Sequence, residues 1–160
     1  MSFQLTQKEK LLLQDQKKHE ELCIQKYQNY AQQAQDPQLK QLFNSLAQKE
    51  QQHLNTINQI LNGQIPNIQG SQQQQQQQIQ QQTLTVPNQM QGAMNNQQDA
   101  SLCNDMLLTE KYVSGTYDTT IFECTNSNIR QVLNHIQKEE QQHGEAIFNY
   151  MHSKGMYNPQ

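Results

Sequence analysis

The sequence predicts an all-α protein: a four-helix bundle built from two helical hairpins joined by a long low-complexity crossover. Three observations carry this. Apolar side chains recur at steps of three and four along both flanks of the 160-residue chain. No stretch alternates apolar and polar residues as a half-buried strand does. The two flanks also repeat one another at an offset of 90 residues.

From Thr6 to Gln35 there is no Gly or Pro. Leu13, Gln16, Glu20, Cys23, Tyr27, Tyr30 and Ala34 share one helix face there. Asp36-Pro37 opens the next helix, with Asp as N-cap and Pro in the first helical position. Leu39, Leu42, Phe43, Leu46, Glu50, His53, Ile57 and Ile60 continue the stripe until Gly63 ends it. Beyond lie Gly63, Pro66, Gly70, Pro87, Gly92 and the run Gln72 to Gln78. Such a stretch cannot bury a core and reads as a flexible linker. The second flank follows the plan of the first. Met106, Glu110, Val113, Tyr117, Ile121 and Cys124 form one stripe, and Asn126-Ser127 makes the turn. Ile129, Val132, Leu133, Ile136, Glu140, His143, Ile147 and Tyr150 form the next, closed by Gly155. The expected organisation is a hairpin at 6–62, a Gln-rich linker at 63–98 and a hairpin at 99–155.

Glutamine dominates the composition, with 36 of 160 residues. It displaces apolar residues to 33% and charged ones to 16%, against roughly 45–50% and roughly 25% in ordinary domains. A net charge of -3 excludes disorder driven by charge repulsion. Lys and Arg number 11, Arg130 being the one arginine, so no basic face is expected for nucleic acid. Leu11-Leu12-Leu13 is the longest aliphatic run, far short of the ~20 residues of a membrane span. The start MSFQLTQKEK enters a polar helical pattern without the apolar stretch of a signal peptide. Cys23, Cys103 and Cys124 are odd in number and lack a CxxC pair, so they read as small buried hydrophobes.

The repeat sharpens the reading. Shifted by 90, Asp15 falls on Asp105, Glu20 on Glu110, Tyr27 on Tyr117, and Glu50-Gln51-Gln52-His53 on Glu140-Gln141-Gln142-His143. Eleven identities occur over positions 12–61 without a gap. Gln is so common that the Glu, His and Tyr matches carry the weight. A duplicated hairpin explains them.

Four of the duplicated residues are carboxylates at inward positions, and two of these open a Glu-x-x-His motif. In a bundle this is the pattern of a dinuclear metal site: Glu from two helices and Glu-x-x-His from the other two. The three-residue step stacks Glu and His on one helix face. Height agrees. Glu20 and Glu50 lie 15 residues either side of the turn near Gln35, and Glu110 and Glu140 lie 15 either side of Thr125. At ~1.5 Å rise per residue, each pair sits roughly 22 Å from its turn, so all four share one layer. Four buried carboxylates need protons or cations. Two divalent ions neutralise them, and mixed carboxylate and imidazole ligands suit iron or manganese, with zinc also accepted. The candidate ligands are Glu20, Glu50, His53, Glu110, Glu140 and His143. Alone, each Glu-x-x-His reads as an inherited surface or satisfied polar pair; the set of six, at one height and duplicated, reads as a metal site. Asp15 and Asp105 read as outer partners of the histidines or as surface acids. Tyr27 and Tyr117 read as core aromatics or as redox-active neighbours of the site. Cys23, one turn from Glu20, reads as core. His19, His135 and His152 read as ordinary solvated or packed histidines.

The second flank carries LLTEKYVSGTYD, FEC before the turn, IRQVLNHIQKEEQQHGEAIFNYM and a closing KGMY. These resemble the coat F family of spore coat proteins of endospore-forming bacteria. The resemblance covers about residues 99–158, with a fainter copy in 6–62. It implies a ferritin-like helical hairpin and a place in or around the spore coat, and no established reaction. The ligand set also resembles the ferritin-like di-iron class of ferritins, rubrerythrins and manganese catalases. That likeness implies terminal ligands at Glu20, Glu110, His53 and His143 and bridging ones at Glu50 and Glu140. The chain departs from rubrerythrins in lacking a cysteine-rich iron module, and from ferritins in its low-complexity crossover.

Three functions follow. The first is a structural spore coat protein, made in the mother-cell cytoplasm, that associates with itself or with other coat proteins. Its glutamines and ten lysines then offer groups for crosslinking. The second is a di-iron or di-manganese oxidoreductase acting on peroxide, oxygen or ferrous iron. The third is an assembly module whose metal only stabilises the bundle.

Overall fold

Local chemistry sets where each helix starts and stops. The structure, a computed structural model, describes residues 3–68 and 97–159. Thr6 caps α1 (Gln7–Gln33): its hydroxyl accepts from the Glu9 backbone N–H, and the Glu9 carboxylate accepts from Thr6 N–H in return. Asp36 caps α2 (Pro37–Leu61) by accepting from Gln38 N–H, with Pro37 in the first turn. Gly63, at φ 78°, ends it: Gly63 N–H donates to Ile60 C=O and Gln64 N–H to Gln59 C=O. The third helix, α3, spans Gln97–Glu123. Asn126 caps α4 (Ser127–Ser153), and Gly155, at φ 69°, closes it in the same way as Gly63.

The described residues form a four-helix bundle of two hairpins, α1 with α2 and α3 with α4, and contain no strand. None of these helices is long and apolar enough to cross a membrane. Helix α3 begins at Gln97, two residues inside the span expected as linker. Residues 64–68 are non-helical, while Gly70, the Gln72–Gln78 run, Pro87 and Gly92 lie outside the described residues.

Two buried acids set how the hairpins meet. Glu9 Oε1 accepts the backbone N–H of Thr125 at 2.7 Å and its hydroxyl at 3.0 Å, in the turn of the second hairpin. Asp99 accepts the N–H groups of Gln35 at 2.9 Å and Asp36 at 3.0 Å, in the turn of the first. Glu9 and Asp99 are themselves 90 residues apart. The start of each hairpin is thereby tied to the turn of the other, and the hairpins pack head to tail. The end of α2 and the start of α3 then lie at opposite ends of the bundle, as a long crossover requires.

The core forms two apolar clusters. One gathers Tyr27, Leu39, Phe43, Leu102, Met106 and Ile147 towards the first turn. The other gathers Leu13, Ile57, Val113, Tyr117, Ile129 and Leu133 towards the second. Tyr30, Leu42 and Ile121, expected on the core stripes, are half-buried at the margins of these clusters. Cys23, Cys103 and Cys124 are buried and free, as small core side chains.

Burial pulls the Glu9 carboxyl up, but hydrogen bonds from Thr125 and Thr6 outweigh it and hold it below its ordinary value of 4.5. A depressed value means the contribution is complete above that ordinary value and is lost as pH falls through the folded one. Glu9→Ala is expected to cost about 1–3 kcal/mol in urea unfolding at pH 7. Its difference from wild type should shrink below pH 4.5.

Candidate metal centre

Between the two apolar clusters lies a layer of ionisable groups. Glu20 on α1, Glu50 and His53 on α2, Glu110 on α3, and Glu140 and His143 on α4 are all buried. All six candidates from the sequence come together. Glu20, Glu50, His53 and Glu140 offer ligand atoms within 4.8 Å of one another, and so do Glu50, Glu110, Glu140 and His143. Glu50 and Glu140 belong to both groups. The imidazoles stack with centroids 5.4 Å apart. His53 Nδ1 lies 3.1 Å from both Glu50 and Glu140, and His143 Nδ1 lies 3.1 Å from Glu50.

The hairpins exchange contacts here too. The phenol of Tyr27 donates to Glu110 of the other hairpin, and the phenol of Tyr117 donates to Glu20. These tyrosines are at once core aromatics and direct partners of the cluster. Three buried oxygens still have no hydrogen-bond partner: Glu20 Oε2, Glu110 Oε2 and Glu140 Oε2. Unpaired buried oxygens are costly, and their convergence in one layer fits a set of cation ligands.

The carboxyls divide by environment. Burial and the repulsion of Glu110 push Glu50 up to about 7. Burial and repulsion from Glu50, Glu110 and Glu20 push Glu140 up. Burial also pulls on Glu110, but Glu140 and the imidazolium of His143 hold it down at about 2. Burial of Glu20 is likewise outweighed, chiefly by His53. Burial opposes the charge on both imidazoles, yet Glu139, Glu140 and Glu20 raise His53, and Glu110, Glu140 and Glu50 raise His143. Cys23 lies in the same field: burial, then the four carboxylates, push its thiol up.

Of the two readings of Asp15 and Asp105, the structure does not bring out the one that places them beside the histidines. Asp15 is exposed, and Asp105 accepts from Lys26 at 2.9 Å and from Tyr30 at 2.6 Å. The carboxylate that does meet an outer imidazole nitrogen is Glu139, whose Oε2 lies 2.7 Å from His53 Nε2. His135 is correspondingly more than a packed histidine, since its Nε2 lies 3.4 Å from Glu139 Oε1. Sequence reasoning missed Glu139 because the repeat sets Lys49 opposite it. His19 meets Thr116 and Tyr112, and His152 stacks on Phe148, both away from the cluster. A cavity of about 290 Å³ lies between α2 and α4, lined by Gln52, His53, Thr56, His135 and Glu139 among others.

Residues 98–160 match the Coat F domain. The match covers α4 and all but the first residue of α3. No curated protein and no solved structure matches the chain.

Removing either phenol takes a hydrogen-bond donor from a buried carboxylate. Tyr27→Phe and Tyr117→Phe are each expected to lower stability by about 1–3 kcal/mol in urea unfolding with a chelator present. The repeat predicts similar losses for the two.

Proposed function

The second hairpin being a Coat F domain, we propose that the chain is a structural protein of the spore coat whose bundle carries a carboxylate-bridged di-metal site. The observation that carries the metal reading is the pair of buried four-residue groups whose ligand atoms lie within 4.8 Å of one another, with three carboxylate oxygens there accepting no hydrogen bond. Glu50 and Glu140, shared by both groups, would hold both ions, and Glu20 with His53, and Glu110 with His143, would each hold one, the imidazoles offering Nδ1. Two divalent ions match the charge of four carboxylates, and the mixed oxygen and nitrogen set suits iron or manganese. Such ions supply Lewis-acid and one-electron chemistry when bound.

In the structural role, bound ions would hold the two hairpins together, because each group draws residues from both. Leu108, Tyr112 and Phe122 are 67%, 64% and 77% exposed, which supports association with other coat proteins or with another copy. A second reading, a di-iron or di-manganese oxidoreductase acting on peroxide, oxygen or ferrous iron, is favoured by the cavity that reaches His53. Hydrogen peroxide turnover by the manganese-loaded chain selects that reading, and stabilisation without turnover selects the structural one.

Thermal unfolding with EDTA or Mn(II), from about pH 5.5 to 8.5, tests the site itself. A raised histidine stabilises fully below its ordinary value of 6.5 and loses this as pH rises through the folded value. A raised carboxyl likewise loses stability upwards from 4.5. The cluster's share of metal-free stability should therefore fall as pH rises. Binding displaces protons from the imidazoles and the raised carboxyls, so stabilisation by Mn(II) should grow over the same range. No Mn(II) effect at any pH contradicts the site.

A further inference from the structure

The two halves of the cluster differ, and the difference lies outside the six residues that define it. His53 turns Nδ1 towards Glu50 and Glu140 and presents Nε2 to Glu139 at 2.7 Å. The far oxygen of Glu139 is 3.4 Å from His135 Nε2, which anchors that carboxylate on α4. His143 also turns Nδ1 towards the carboxylates. Its counterpart to Glu139, by the offset of 90, is Lys49. An ammonium group only donates, so Lys49 cannot accept the outer N–H of an imidazole. A carboxylate in that position holds the proton on Nε2, leaves Nδ1 with its lone pair for a cation, and strengthens the ring as a ligand.

Resting on the di-metal reading above, we propose that the two subsites load unequally. The Glu20–His53 subsite takes the first divalent cation and holds it more tightly, with Glu139 as its positioning residue. Glu139 acts through His53, whose Nε2 it meets. The same subsite borders the cavity of about 290 Å³ between α2 and α4, so it also meets incoming ions on the solvent side.

Calorimetric titration of the chelator-stripped full chain with Mn(II) tests this. Wild type is expected to bind in two resolved steps. Glu139→Gln keeps the size of the side chain and removes its charge. It should weaken the first step by about 10–100-fold and leave the second unchanged. Lys49→Glu supplies the missing acceptor and should strengthen the second step. Unfolding curves recorded in chelator distinguish these effects from a general loss of fold. A single step of equal sites in wild type overturns the proposal. So does a Glu139→Gln variant that keeps the first step or weakens both steps together. Binding of no Mn(II) by wild type overturns the di-metal reading itself, and the unequal loading with it.

Discussion

A carboxylate taken out of water must be protonated, hydrogen-bonded or matched by positive charge. This bundle buries four of them in one layer, together with two imidazoles. The rest of the structure answers to that layer. Apolar clusters on either side keep water away from it. Tyr27 and Tyr117 each reach across to an acid of the other hairpin. Glu20 and Glu110 keep their charge beside the imidazoles, while Glu50 and Glu140 are pushed towards the neutral form. Even so, three of its oxygens accept no hydrogen bond. A bundle that only had to fold gains more from well-packed aliphatic side chains at those positions. Retaining the acids makes sense when a ligand completes the layer.

Duplication explains how so much charge was placed at once. One hairpin supplies an acid on its first helix, a Glu-x-x-His on its second and a tyrosine between them. Copying it and packing the copies head to tail brings two such sets face to face. Glu9 and Asp99 enforce that packing, because each start is fixed to the opposite turn. The catalogue of contacts is then nearly two-fold symmetric. Function-bearing differences stand out where the copies diverge, as at Lys49 and Glu139.

Periodicity, caps and the offset of 90 made the fold legible, and equal distances from the turns made the six-residue cluster legible. Each of these signals is periodic or symmetric. What lay outside them was harder to see. Asp15 and Asp105 sit five residues before Glu20 and Glu110, which turns them about 140° around the helix and off the inward face. Glu9 and Asp99 share the offset, yet an acid in a first helical turn reads as a partner of the helix dipole. Only the tertiary packing reveals the turn it holds. Glu139 breaks the repeat, so symmetry concealed it. Beside Glu140 in sequence, it looks like one more acid of a polar helix face.

The account stands or falls on whether the buried layer is a cation site. Elemental mass spectrometry of the wild type and of Glu50→Ala, Glu140→Ala, each reloaded with Fe(II) or Mn(II), measures this directly. About two ions per wild-type chain and none in the double variant are predicted. No stoichiometric metal in either, with unchanged stability, contradicts the cation site and leaves the four carboxylates as polar groups of the bundle core.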